Sequence, residues 1–166
     1  MNWVCAIVTV LLSACSGMNP TAPSATVERA FNYPPELAPV IRALDAELWI
    51  HPLLGERPGS YVRTHVQQIK FDSTVRPPFL AWAYPGGTVG WQTYNPLSTY
   101  DTPDVALSVA YLLHEARHQQ GHWHTCGNND RTMEEGGAWA VHILYLEHAG
   151  YQKVADAVRA AQIGCQ

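Results

Sequence analysis

Charge is scarce in this chain. Only 14% of its 166 residues are Asp, Glu, Lys or Arg, against 47% apolar residues. That balance excludes a disordered polyelectrolyte and provides enough apolar material for a packed core. Basic residues number ten, scattered from Arg29 to Arg159 without a stripe. With a net charge of −4, the chain has no electrostatic footprint for nucleic acid, and none is expected as a partner. No repeat or second domain is visible, and the length suits one domain. Long apolar runs are few: in the uncharged first fifteen residues the apolar stretch covers only about residues 4–12. Such a stretch is too short to span a bilayer permanently and suits the apolar region of a secretory signal.

That stretch ends in Leu12-Ser13-Ala14-Cys15, which resembles the lipobox of bacterial lipoproteins, although no Lys or Arg follows Met1. The resemblance implies a signal peptide at 1–15, cleavage before Cys15, lipidation of Cys15 and a mature protein anchored to the membrane. Ser16 next to it implies sorting to the outer membrane. The alternative is an ordinary signal peptide with a small-residue cleavage site. Residues 16–30, rich in Ser, Pro, Ala and Thr, read as a flexible tether. With Cys5 removed and Cys15 lipidated, Cys126 and Cys165 remain in an oxidising compartment, where a disulfide is the simplest outcome. Closing about 40 residues would contribute about 4 kcal/mol in the chain-entropy model. The competing role for Cys126 is that of a metal ligand.

Beyond the tether, Leu37, Val40, Ile41, Leu44 and Leu48 recur at helical spacing and predict a helix over 35–49. Breakers make 51–59 a loop. Candidate strands follow at 64–71, 79–84 and 88–94, the last two flanking Pro85-Gly86-Gly87 as a hairpin. After a loop over 96–103, a buried helix starts near Thr102, with Pro103 and Asp104 in its first turn, and stops at Gly121. A third helix is expected from Thr132 to Gly150, and a fourth over 152–162.

Histidine is the anomaly, because four of the eight fall in the run His114-Glu115-Ala116-Arg117-His118-Gln119-Gln120-Gly121-His122-Trp123-His124. On a helix, positions i and i+4 share a face, so His114 and His118 can address one cation. Zinc favours such nitrogen donors in a tetrahedral site, and a catalytic site leaves one position for water. Glu115 is then placed as general base for that water. A third donor must come from outside the helix. Gly121 permits the left-handed turn that would bring His124 back. The full spacing His-Glu-x-x-His-x-x-Gly-x-x-His is far rarer by chance than its five-residue core.

In this run the chain resembles the zincin metallopeptidases, and within them the metzincin motif, over about residues 103–124. The resemblance implies one Zn2+ per chain held by His114, His118 and His124, with Glu115 as catalytic acid/base. It also implies a Met-containing turn below the metal, for which Met133 is the candidate. A gluzincin-like alternative takes the third ligand from the next helix, at Glu134 or Glu135, although Thr132 and Glu135 also form a capping box. His122 can stand in for His124 or support it from outside the ligand set. Zincins pair substrate with an edge strand, here 88–94. Tyr94, Tyr100 and Tyr145 are candidates to polarise a carbonyl.

The expected fold is α+β: a minimal zincin-like domain over 31–166, with a small, mostly antiparallel sheet packed on a buried zinc-binding helix and a helical C-terminal part. The expected function is zinc-dependent hydrolysis of a peptide or protein substrate by an exported, lipid-anchored enzyme of the bacterial cell envelope. The alternative is a non-catalytic zinc-binding envelope lipoprotein.

Overall fold

The computed structural model describes residues 31–75, 80–93 and 102–164, with backbone alone at 102–104. The expected signal peptide and tether, Cys5, Cys15, Tyr94, Tyr100 and Cys165 lie outside these residues, as do the side chains of Thr102, Pro103 and Asp104. The architecture is α+β, a three-stranded sheet among five α-helices of the described residues.

A single turn at Pro35–Leu37 leads into α1, Ala38–Ala46. Leu37, Val40, Ile41 and Leu44 form its apolar face and are at most 2% exposed. Glu47 turns to extended backbone, so the helix ends three residues earlier than expected, and Leu48 is 67% exposed rather than part of that face. A second helix, α2, Pro58–His65, occupies what composition had made the end of a loop and the start of a strand. Pro58 sits in its first turn, where the missing N–H costs nothing. Gly59 lies so close to α1 that a Cβ there would meet Asp45 Oδ1 at 2.8 Å. The glycine is thus a packing requirement rather than a breaker.

The strands are β1, Gln68–Asp72, β2, Ala81–Tyr84, and β3, Thr88–Gln92. The hairpin at 85–87 joins β2 to β3 antiparallel, as its turn residues predict. Yet β1 pairs with β3 in parallel, so the sheet is mixed, in the order β1-β3-β2. This corrects the assignment of 88–94 as an edge: β3 is central, with Val89 to Gln92 all buried, and β2 has one edge unpaired among the described residues.

The central helix α3, Thr102–Gln119, packs against α1, α2 and β2 and against the following helix, α4, Ala138–His148. Val109, Ala110, Leu112, Leu113 and Ala116 are fully buried on it, and so nearly are His114, Glu115, Arg117 and His118. A helix that buries its polar side chains with its apolar ones must satisfy or use them. The last helix, α5, Gln152–Gln162, lies on α4. No helix among the described residues is long and apolar enough to cross a membrane.

Gln119 joins the helix to the hairpin. Its Nε2 donates to Tyr84 O at 2.7 Å and Thr88 O at 3.2 Å, while Gly87 N donates to its Oε1 at 3.1 Å. A Gln119→Leu change strands one buried-side donor and two acceptors, for an expected loss of about 1–3 kcal/mol in denaturant unfolding. Unchanged stability would mean that the hairpin is held by its apolar face alone.

Candidate metal centre

Two donors come from one face of α3. His114 and His118 stand one turn apart, and their Nε2 atoms approach to 3.1 Å. Chain reversal then supplies the third. Gly121 adopts φ 98°, a left-handed conformation open to glycine, and its N–H closes on His118 O at 2.9 Å. The following loop returns His124 to the helix, and ligand atoms of His114, His118 and His124 all lie within 4.8 Å of one another. Donors about 2.0–2.1 Å from a tetrahedral ion sit about 3.3 Å apart, so this cluster is spaced to hold a metal ion.

Ring orientation agrees with that spacing. His118 Nδ1 lies 2.8 Å from the backbone O of His122, and His124 Nδ1 lies 3.3 Å from Asp130 Oδ1. With Nδ1 of these two rings facing an oxygen acceptor, their Nε2 lone pairs are left for a cation. His122 therefore contributes through its carbonyl, and its ring stays outside the cluster.

The electrostatics also favour open donors. Burial holds His114 well below the ordinary histidine range, helped by His118, His142 and His124 around it. His118 is lowered as well, again chiefly by burial. Burial pushes the Glu115 carboxyl up to about 8, against a weaker opposing pull from the Ala83 backbone. Without an ion, then, the helix presents the uncharged imidazoles of His114 and His118 beside a protonated Glu115 at neutral pH.

The cluster opens into a cavity of about 430 Å3. Glu115 lines it with the three histidines, and Ala81, Trp82 and Ala83 of β2 form one wall. Tyr111, Trp123 and Trp139 make it strongly aromatic, and Asn128, Asn129 and Gln162 add neutral amides. Trp123 is 62% exposed and stacks on His118, with ring centroids 5.2 Å apart.

Other candidates fall elsewhere. Glu134 and Glu135 are exposed. Glu135 N donates to Thr132 Oγ1 at 3.2 Å, while its Oε2 accepts from Arg131 N at 3.3 Å. The capping box is thus half made, but it closes a turn, and α4 begins only at Ala138, six residues after Thr132. Met133 lies in that turn, partly buried against the core and not among the cavity-lining residues. Tyr145 is buried beside Trp49, also away from the cavity. Cys165 lies outside the described residues. Its neighbour Gly164 accepts from Asn129 Nδ2 at 3.4 Å, so the last described residue lies beside the turn that holds Cys126.

Several residues of the site carried no sequence mark. Tyr111 precedes His114 by three residues, so helical spacing places it on the same face. Trp82, Trp139, Asp130 and Gln162 arrive by tertiary packing, which no local pattern records. His142 on α4 is fully buried behind the site, 5.9 Å from His114 between ring centroids, and neither of its nitrogens meets a hydrogen-bond partner.

No family model, curated protein or solved structure matches this chain.

Proposed function

We propose that this protein is a zinc-dependent endopeptidase of the zincin type, acting at the cell envelope. The observation that carries the proposal is the convergence of three imidazoles at a cavity, with the Glu115 carboxyl one residue from the first of them. Nitrogen donors of this number suit Zn2+ in a site with an open fourth position. When bound, Zn2+ would polarise a carbonyl oxygen and acidify water at that position. Glu115 is the residue that takes the proton from the attacking water and passes it to the leaving amine. A dication nearby offsets the burial that otherwise keeps Glu115 protonated. β2 lines the cavity and, among the described residues, pairs with a strand on one side alone, an arrangement that suits an extended peptide adding to the sheet as a strand.

Activity against a diverse peptide library, compared between the unaltered protein and Glu115→Ala at equal zinc content, tests the proposal. The expected loss is about 10²–10⁴-fold. Equal activity, or none in either with zinc bound, would leave the non-catalytic zinc-binding lipoprotein as the better account. Export and anchoring through Cys15 rest on the lipobox-like leader, and pairing of Cys126 with Cys165 on the compartment that leader implies. The unaltered protein should incorporate labelled fatty acid, and a Cys15→Ser variant should not. Equal labelling of the two, or none in either, would reject the lipid anchor.

A further inference from the structure

The structure assigns Asp130 a task beyond its place in the loop: we infer that it is the positioning residue for the third metal donor, His124. The inference rests on the metal-site proposal above. His114 and His118 are aimed by a rigid helix, whereas His124 sits in irregular chain after Gly121, its ring stacked beside Trp139 with no helix to aim it. Asp130 supplies what the loop lacks. Its side chain is fully buried, and Oδ1 faces His124 Nδ1 at 3.3 Å. A carboxylate there accepts the Nδ1–H, selects that tautomer and turns Nε2 toward the ion.

Asp130 is itself held from three sides. Its Oδ2 accepts Trp139 N at 2.9 Å, capping the first turn of α4 from a distant loop. Its backbone N donates to Gln162 O at 3.0 Å, and its carbonyl accepts Gly164 N. Space for the carboxylate exists only because residue 137 is glycine. A Cβ on Gly137 would lie 2.4–2.7 Å from the Asp130 carboxyl atoms, although the backbone there, at φ −69°, suits any residue. Gly137 therefore makes the seat that Asp130 occupies.

A double-mutant cycle on the full chain, read as zinc affinity by competition with chelators of graded strength, separates positioning from mere fold support. Asp130→Ala is expected to weaken zinc binding about 10–100-fold. On a His124→Ala background the same change should cost nothing further, because the residue it acts through is gone. Gly137→Ala, which displaces the carboxylate while leaving it present, should reproduce the loss and gives a second route if Asp130→Ala does not fold. Unchanged affinity in both variants, or an equal fold-loss with and without His124, would overturn the role. Absence of zinc binding by the unaltered protein would instead sink the metal-site proposal on which the inference stands, so the two failures are told apart.

Discussion

Zinc affinity is expected to fall by about 10²–10³ when His118 or His124 is replaced by alanine, and to stay unchanged when Glu135 is. Structural zinc sites with four ligands release roughly 10–16 kcal/mol, so each ligand accounts for about 2.5–4 kcal/mol, or about two to three decades. His118 is held by α3 and by the His122 carbonyl. His124 completes the three-histidine cluster by geometry. Glu135 is exposed, with its carboxylate engaged by Arg131 N, and has no path to the cluster without unmaking the 132–136 turn. Equilibrium competition against a chromophoric chelator measures all three variants. Release of zinc by Glu135→Ala alone would reverse the choice of third ligand.

Stripped of metal, the protein should be most stable near pH 6.5 and weaker on both sides. His142 is held down to about 3 by burial, and His114 well below its ordinary 6.5. For such depressed groups the unfolded chain takes up protons first as pH falls. Their contribution is fully present above 6.5 and is lost on acidification toward 3. Glu115 works in the opposite sense. Raised from 4.5 to about 8, it contributes fully below 4.5 and loses that contribution as pH rises through 8. Between 4.5 and 6.5 the histidine slopes, with His118 adding to His142 and His114, outweigh one carboxyl slope, and between 6.5 and 8 only the carboxyl slope remains among these groups. Each uncompensated proton changes stability by roughly 1.4 kcal/mol per pH unit. Denaturant unfolding of chelator-treated protein across pH 4–8 would trace the maximum. Glu115→Gln should remove the decline above 6.5, and His142→Leu should flatten the acid limb. Stability that climbs from pH 6.5 to 8 in the unaltered protein would contradict the assignment of Glu115 as a buried neutral acid.

Local chemistry made part of this molecule legible. The i, i+4 histidines, the apolar face of α1, the Pro85-Gly86-Gly87 hairpin and the Gly121 turn all follow from short-range rules, and the structure has each of them. What escaped was set at a distance. Pro58-Gly59 read as a loop because the reason for Gly59, contact with Asp45 of α1, is tertiary. Thr132 and Glu135 read as a helix start, but Gly136-Gly137 interrupts, and the effective cap is Asp130 reaching Trp139 N. Strand order was equally hidden, since alternation of side chains says which face is buried and not which neighbour pairs. The firm part of the metal cluster was visible for the same reason that α2 was not: its residues are close in sequence.

The last turn of α3 places three consecutive side chains in three directions. Arg117 Nε holds Gly136 O at 2.8 Å, His118 faces the other donors, and Gln119 grips the hairpin. Any opening of this turn would release the metal donor, the segment leading to α4 and the cavity wall together. Amide exchange at Gly87 and at Gln120 should therefore slow in step when a cation binds, as one cooperative unit. An ion captured at one end of the cleft would in that way stiffen the strand that forms its other side.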